Sequence, residues 1–327
     1  MKRKSPVSVY ILTNEDSQLV LKNESLLGQL RSALTGHPEI AITDKPSDAD
    51  FLILFESFGF KQYKHRKTLL ADPVIRKYRD KIMAINYDDD PIPFFPGLYT
   101  SLRNWQFDPA VHRSICYPKT HNREITQSPI PDDAHLFSFV GNPQSHPSRQ
   151  VIVRLFQDLT SAFCRAVPRD FHSYTDAEKL EYAKTIEKSH FVLCPRGFSP
   201  ATYRLFEVME AGRCPVVISD TWVPPAGPDW STCAIRIPER DICRLPQILR
   251  PRQADAAQMG HAARAEWDRC FSPNARFERY AEDFVDIATH LQRQTQTMEQ
   301  WGRWSFRYRN KQTFAQRLVA KFLRRNH

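Results

Sequence analysis

Short apolar runs separated by polar and turn residues recur along most of the 327-residue chain. In the first half, runs over 8–12, 51–55 and 82–85 predict buried strands, and the apolar spacing over 24–34 predicts a helix. Short apolar strands flanked by polar residues are typical of a parallel sheet that is covered on both faces. The first part of the chain is therefore predicted to be an α/β domain.

A polar, proline-containing stretch over 117–133 predicts a linker, after which the alternation of strands and helices restarts. The predicted elements are a strand over 136–140, helices from about 148 and over about 176–188, a strand over 191–193, a helix over about 200–211, strands over 215–218 and 234–237, and helical segments to about 290. Repeated strand–helix units indicate a doubly wound sheet with right-handed crossovers.

We therefore divide the chain into an N-terminal Rossmann-like domain (1–130), a C-terminal nucleotide-binding domain (131–290) and a basic helical tail (291–327). From position 303 onward the chain has eight Lys or Arg and no Asp or Glu, so this segment carries +8 of the net charge of +9. The nearly neutral body argues against a nucleic-acid partner. The tail has the pattern of a basic amphipathic helix, which either lies on an anionic membrane surface or packs on the N-terminal domain.

The cysteine pattern and the N-terminus bear on localisation. The seven cysteines are odd in number and lack metal-ligand spacing, as expected in a reducing compartment. The N-terminal apolar run is short and interrupted, which favours a first strand over a signal peptide. No run approaches the roughly 20 apolar residues that cross a bilayer. We expect a cytoplasmic protein, with the tail available for peripheral binding at the inner membrane face.

The segment over 190–220, HFVLCPRGFSPATYRLFEVMEAGRCPVVISD, predicts a strand, a loop, a helix and a second strand. Ser199 is a good helix N-cap and Pro200 suits the first helical position. A helix that begins at a strand's carboxyl end favours anions, because its free N–H groups and its dipole point into the loop. Arg204 adds a guanidinium that can hold phosphate, and Glu207, one turn later, can accept hydrogen bonds from a ribose.

Spacing alone also allows a surface Arg–Glu pair that contributes only about 0.2–0.5 kcal/mol. Because the pair follows a strand and a loop, we favour a nucleotide-diphosphate site in a sugar-transferring enzyme.

The runs FVLCPRG and YRLFEVMEAGRCPVVISD, followed by a proline, resemble the C-terminal half of the exostosin-like glycosyltransferases, glycosyltransferase family 47. Upstream, FSFVGNPQSHPSRQVIV (137–153) resembles that family's first C-terminal strand–helix unit. The resemblance covers about 135–250. It implies a GT-B fold, in which two Rossmann-like domains face each other across a cleft.

The resemblance also implies inverting transfer from a nucleotide diphosphate sugar, most often a UDP-sugar, to a glycan or lipid-linked glycan, with no essential metal and no further cofactor. Carried over by position, Arg204 and Arg149 would contact the diphosphate and Glu207 the ribose. Arg196 and Gly197 would shape the loop near the sugar, and Ser199 completes the predicted donor-binding set. Fixed guanidinium groups can take the place of a metal ion at a leaving diphosphate.

An inverting transfer needs a general base that deprotonates the acceptor hydroxyl. Glu56, at the end of the 51–55 strand, and Asp88, after the 82–85 strand, are the catalytic candidates, because strand ends line the cleft. His172, after an apparent strand near 171, is a third. The run of aspartates over 88–90 also suggests a metal site, but three aspartates before PIP are more typical of a solvated turn, so we predict none.

Three other functions fit the sequence. The first is a fucosyltransferase-like enzyme that uses GDP-fucose. The second is a nonenzymatic protein that binds nucleotide or nucleic acid through its basic tail. The third is a sugar-binding module without turnover.

Overall fold

The structure, a computed structural model, describes residues 5–56, 68–69, 71–89, 91–119, 122–169 and 171–293. The first half forms a six-stranded sheet in the order β2-β1-β3-β4-β5-β6, in which every neighbouring pair is parallel. Its strands are β1 (Val7–Ile11), β2 (Ile40–Ile42), β3 (Phe51–Phe55), β4 (Ile82–Asn86), β5 (Gly97–Tyr99) and β6 (His112–Ser114). The strands β3 and β4 are buried at every position, as expected for a sheet covered on both faces.

A second parallel sheet follows, with five strands in the order β11-β10-β9-β7-β8. Its strands are β7 (His135–Gly141), β8 (Ala162–Ala166), β9 (Ser189–Pro195), β10 (Cys214–Ile218) and β11 (Ile235–Arg236). Because β7 and β9 are neighbours in the middle of the sheet, their carboxyl ends lie side by side. This edge of the second sheet positions the candidate site.

The helices pack on the faces of the two sheets. They are α1 (Glu24–Gly36), α2 (Pro73–Tyr78), α3 (Pro147–Phe156), α4 (Asp176–Glu187), α5 (Tyr203–Glu210), α6 (Trp230–Cys233), α7 (Leu245–Leu249), α8 (Ala256–Cys270) and α9 (Arg276–Arg293). Asn23 caps α1, which buries Leu26, Leu30 and Leu34 at four-residue spacing. Within the described ranges, no helix is both long and apolar enough to span a membrane.

The last described helix, α9, returns to the first sheet, where it contacts α1, β5 and β6. Residues 276–290 therefore pack on the N-terminal half, although the predicted division assigns them to the C-terminal domain. Residues 294–327, which make up most of the predicted tail, lie outside the described residues.

The two halves also meet through side chains beside the second sheet. The ring of Tyr117 stacks on that of Tyr203, with centroids 3.5 Å apart. The hydroxyl of Ser199 lies 2.8 Å from that of Ser101. The fold has two parallel α/β sheets whose loops face each other, followed by a C-terminal helical segment. The predicted GT-B class is confirmed.

Most predicted strands are present with bounds shifted by a residue or two, but four short strands were missed and one prediction is wrong. The missed strands are β2, β5, β6 and β8. They are short or carry polar residues, so the pairing with neighbouring strands determines them more than their own pattern does. The apparent strand near 171 is instead a short 3-10 helix over Phe171–Ser173.

Candidate functional site

A cavity of about 370 Å³ opens between the ends of β7 and β9, the start of α5 and the loops of the first sheet. Its lining comprises Asp89, Tyr117, Val140, Gly141, Asn142, Ser145, Arg149, Arg169, Phe171, Tyr174, Tyr182, Gly197, Phe198, Ser199, Ala201, Thr202, Tyr203, Arg204 and Glu207. Five of the six predicted donor-binding residues are in this set. The sixth, Arg196, is not, and neither are the two catalytic candidates Glu56 and Asp88.

The helix that carries Arg204 begins later than predicted. Thr202 is its N-cap and α5 starts at Tyr203, so the prediction of Ser199 as N-cap is wrong. Ser199 instead shapes the preceding turn, where its hydroxyl accepts a hydrogen bond from the Ala201 N–H at 3.1 Å. The side chain of Thr202 makes no capping bond. Ala201, Thr202 and Tyr203 line the cavity, so the start of the helix still faces it.

Arg204 is buried beside the cavity, with 8% of its surface exposed. Its Nη2 donates to the carbonyl of Val140 at the end of β7, and its Nε donates to the Tyr182 hydroxyl at 3.2 Å. The guanidinium carbon lies 4.8 Å from the Phe139 ring centroid. Nη1 is buried and has no acceptor among the described residues. The guanidinium therefore has an unused N–H donor group beside the cavity.

Arg149, on α3, places a second guanidinium near the same ring, 5.9 Å from the Phe139 centroid. Its Nε donates to the carbonyl of Arg196 at 2.9 Å and its Nη2 to that of Pro195 at 3.1 Å. Burial, together with the positive charge of Arg204, lowers the pKa of Arg149 to about 9. Both guanidinium groups are thus held by backbone carbonyls at strand ends rather than by carboxylates, which leaves their positive charge available to an anion.

Two glycines make room for these side chains. A Cβ at Gly141 would lie 2.8 Å from Nη2 of Arg204, and a Cβ at Gly197 would lie 3.2 Å from Nη2 of Arg149. A glycine at each position therefore lets the guanidinium pack directly on the backbone of a strand end.

Glu207 is also buried, with 7% exposed, so the alternative of a solvated surface Arg–Glu pair is wrong. Its Oε2 accepts a hydrogen bond from the Tyr182 hydroxyl at 2.8 Å. Burial raises the pKa of Glu207, and the Tyr182 hydrogen bond and the charge of Arg204 oppose that rise. Tyr182 is the residue that the sequence did not indicate, since it lies on the buried face of a separate predicted helix.

The side chain of Arg196 points away from the cavity. Its Nη1 donates to the Thr221 hydroxyl at 3.1 Å and lies 4.0 Å from a Glu239 carboxylate oxygen. Arg196 therefore contacts the loop from outside, while its carbonyl holds Arg149.

The acidic candidates of the first sheet separate in the structure. Glu56 is 5% exposed and accepts a hydrogen bond from Asn86; burial raises its pKa to about 7, despite that bond. Asp88 accepts a hydrogen bond from the N–H of Asp89 at 2.7 Å, as in a turn. Asp89, which was not singled out within the aspartate run, lines the cavity. His172 follows no strand, since it lies in the short 3-10 helix.

Metal ligands do not cluster in the described ranges. No group of three or more His, Cys, Asp and Glu side chains there could hold a metal ion. Asp90 lies outside the described residues, so the interpretation of the aspartate run as a turn remains a prediction for its last member.

Comparisons with known proteins agree with the resemblance seen in the sequence. Residues 98–251 match the family model of the Exostosin GT47 domain. The Exostosin-1 homolog of Caenorhabditis elegans is 38% identical over 74 residues, which are 22% of this chain and 19% of that protein. Exostosin-1 of Drosophila melanogaster is 31% identical over 97 residues, or 29% of this chain and 13% of that protein. The matched segments thus span less than a fifth of these relatives.

Solved structures with a similar backbone include HepE of Anabaena in complex with UDP and glucose. Its TM-score is 0.39 and its sequence identity is 10%, and the alignment covers 85% of this chain and 98% of that one. Sucrose-phosphate synthase of Thermosynechococcus elongatus has a TM-score of 0.40 and 13% identity over 88% and 99% of the two chains.

Residues 98–251 are thus similar to a glycosyltransferase domain, the Exostosin GT47 domain, and they include Arg149, Arg204 and Glu207 of the cavity lining.

Proposed function

We propose that this protein transfers a sugar, with inversion, from a UDP-sugar to a hydroxyl of a glycan or glycolipid. The observation that carries the proposal is the buried Nη1 of Arg204, which has no acceptor among the described residues. A buried, charged donor without a partner is costly, at about 1–3 kcal/mol or more. A diphosphate in the cavity would supply the missing acceptor.

The two arginines suit a leaving diphosphate in particular. As the bond to the sugar breaks, negative charge grows on the diphosphate, and Arg204 and Arg149 would stabilise it without reorganising. Bound phosphate would also raise the lowered pKa of Arg149, which strengthens the interaction in the occupied state. Glu207, one helical turn away, would accept hydrogen bonds from the ribose.

For the general base we favour Asp89 over Glu56 and Asp88. Asp89 comes from the first sheet, as the base of a two-domain transferase should, and it lines the cavity. Glu56 has a suitable pKa, raised by burial to about 7, but its side chain is not part of the cavity lining. The base would take the proton of the acceptor hydroxyl as that oxygen attacks the sugar.

Binding of nucleotides distinguishes the proposal from its competitors. Preference for UDP over GDP would support the UDP-sugar assignment, and the reverse would favour a fucosyltransferase-like enzyme. Binding of UDP without release of free UDP from any UDP-sugar, with or without added glycans, would favour a protein without turnover. Membrane binding through 303–327 remains a prediction, since that segment lies outside the described residues. A cytoplasmic location is likewise a prediction.

The central experiment is Arg204→Ala, with Arg154→Ala as the matched control. Arg154 is exposed and lies on α3, the helix that also carries Arg149. We expect Arg204→Ala to weaken UDP binding by at least about 100-fold, since it removes charged hydrogen bonds of about 1.5–3 kcal/mol each. Calorimetric titration with UDP measures this, and thermal unfolding checks the fold.

Glu207→Ala should abolish release of UDP from UDP-sugars, and it should lower thermal stability moderately because it leaves the buried Tyr182 hydroxyl without its acceptor. Wild-type turnover of either variant at saturating donor would refute the assigned role of that residue, and the Arg154→Ala control should retain turnover.

A further inference from the structure

The hydroxyl of Tyr182 lies between Arg204 and Glu207 and joins them. Nε of Arg204 donates to it at 3.2 Å, and the hydroxyl donates to Oε2 of Glu207 at 2.8 Å. No ion pair connects the two charged side chains directly in the described part of the chain. A phenol has a single hydrogen, so donation to Glu207 leaves its oxygen to accept from Arg204. The direction of this hydrogen-bonded chain is thus fixed from cation to anion.

Tyr182 is held by an element other than α5, the helix that carries the two charged residues. It lies on α4, which starts with a capping box formed by Thr175 and Glu178. Its ring is 4% exposed and meets the ring of Phe171 edge-on, with centroids 5.6 Å apart. Packing of α4 fixes the position of the ring. The hydroxyl is therefore a hydrogen-bonding partner whose position does not depend on the rotamers of Arg204 and Glu207.

We propose that Tyr182 is a positioning residue for the nucleotide diphosphate: its hydroxyl orients the Arg204 guanidinium toward the phosphates and holds Glu207 as an ionised acceptor for the ribose. This inference rests on the proposed function. Tyr182, Arg204 and Glu207 all line the same cavity. In this proposal the Tyr182 hydroxyl acts on the nucleotide through Arg204 and Glu207.

The electrostatics of Glu207 make the inference testable by pH. Burial raises the pKa of Glu207, and the hydrogen bond from Tyr182 is the first of two effects that lower it, the other being the charge of Arg204. Other titratable or charged groups lie near the carboxylate among the described residues: Glu210 and Tyr203 on α5, Cys194 on β9, Cys116, Tyr117, Lys119 and Arg276 in an adjoining small pocket, and Asp89, Arg149, Arg169 and Tyr174 in the main cavity lining. Loss of the hydroxyl should therefore let Glu207 take up a proton at a higher pH than in the wild type.

The experiment uses Tyr182→Phe, which keeps the ring and removes only the hydroxyl, with UDP as the probe. We expect the Kd for UDP to rise about tenfold at neutral pH. The ratio of variant to wild-type Kd should grow as the pH falls, because the variant's Glu207 is protonated first. Taking the ratio at each pH cancels the titration of UDP itself. The same comparison in a Glu207→Gln background removes the titrating carboxylate. The ratio of the Kd of the double variant Glu207→Gln/Tyr182→Phe to that of Glu207→Gln alone should not grow as the pH falls.

Tyr280→Phe is the matched control. The Tyr280 hydroxyl is equally buried and donates to the Cys116 carbonyl at 2.6 Å, outside the cavity lining. The Tyr280→Phe variant should therefore have a lower thermal stability than the wild type but the same Kd for UDP.

Two results would overturn the role of Tyr182. One is a wild-type Kd for Tyr182→Phe across the pH range, and the other is a uniform weakening whose ratio does not change with pH. Either result, combined with a large loss in Arg204→Ala, would leave the proposed function standing. If Arg204→Ala also binds UDP like the wild type, the proposed function fails as well.

Discussion

Gly141→Ala tests whether the position of the Arg204 guanidinium controls nucleotide binding. The added Cβ would lie 2.8 Å from Nη2 of Arg204, well inside the separation that two such atoms keep. Nη2 is the atom that donates to the Val140 carbonyl, so the guanidinium must leave that acceptor to relieve the contact. The backbone need not move, because the clash involves only the end of a side chain.

The size of the effect on UDP affinity follows from the hydrogen bond that the displaced guanidinium would no longer donate to a phosphate. A hydrogen bond from a charged donor contributes about 1.5–3 kcal/mol, which corresponds to a roughly 10- to 150-fold loss of UDP affinity. Loss of the Arg204–Val140 bond should also lower stability, and the replacement of glycine by alanine offsets only about 0.4–1 kcal/mol of that loss where the backbone conformation is ordinary. The folded fraction of the variant therefore has to be measured beside its UDP affinity.

Calorimetric titration with UDP and thermal unfolding measure the two quantities. Gly28→Ala is the matched control: a Cβ at Gly28, on α1, meets no atom within 4 Å, so UDP binding should stay at the wild-type level. Wild-type UDP affinity in Gly141→Ala would show that the guanidinium does not need its present position, and the proposed arrangement of the site would be refuted.

Three further predictions concern the base, the pH dependence and the tail. Asp89→Asn should lower kcat by about 10²- to 10⁴-fold while Glu56→Gln retains turnover; the opposite ranking in an assay of UDP release would move the base to Glu56. Burial raises the pKa of Asp283 from 3.8 to about 7, so its contribution to stability is present at acid pH and is lost as the pH rises through that range. Asp283→Asn should lack this loss in urea unfolding at a series of pH values, and an identical pH dependence in both proteins would contradict the prediction. Deleting 303–327 should leave the Kd for UDP unchanged, whereas a nucleic-acid-binding protein would lose its salt-dependent affinity.

Most of the residues predicted to bind the donor line the cavity, whereas the two predicted catalytic residues do not. The motif around Arg204 and Glu207 is continuous in the chain, so the strand, the loop and the helix could be read together. The proposed base could not be predicted in this way, because the cleft brings distant loops together. Glu56 and Asp88 follow neighbouring strands, but Asp89 is the acidic residue that the described part of the first half brings to the cavity. Which of two adjacent aspartates faces inward depends on the turn, where Asp88 already accepts the Asp89 N–H.

The start of α5 shows the same limit. Ser199 and Pro200 have the composition of a helix start, yet the helix begins at Tyr203. Contact with the first half decides the difference, since the Ser199 hydroxyl lies 2.8 Å from that of Ser101 and the Tyr203 ring stacks on Tyr117. Local propensity is a weak preference that such contacts readily outweigh.

The sequence by itself determined three features: the buried strands, the order in which strands and helices alternate, and the face of α5 that carries Arg204 and Glu207. These depend on the alternation of apolar and polar residues, which acts over one or two turns of chain. Only the tertiary structure decided that the two charged side chains are buried and joined through Tyr182, which is 22 residues from Arg204. The reason is physical: helical spacing brings neighbours on one helix close, but packing of a second helix against the sheet determines which polar group enters the space between them.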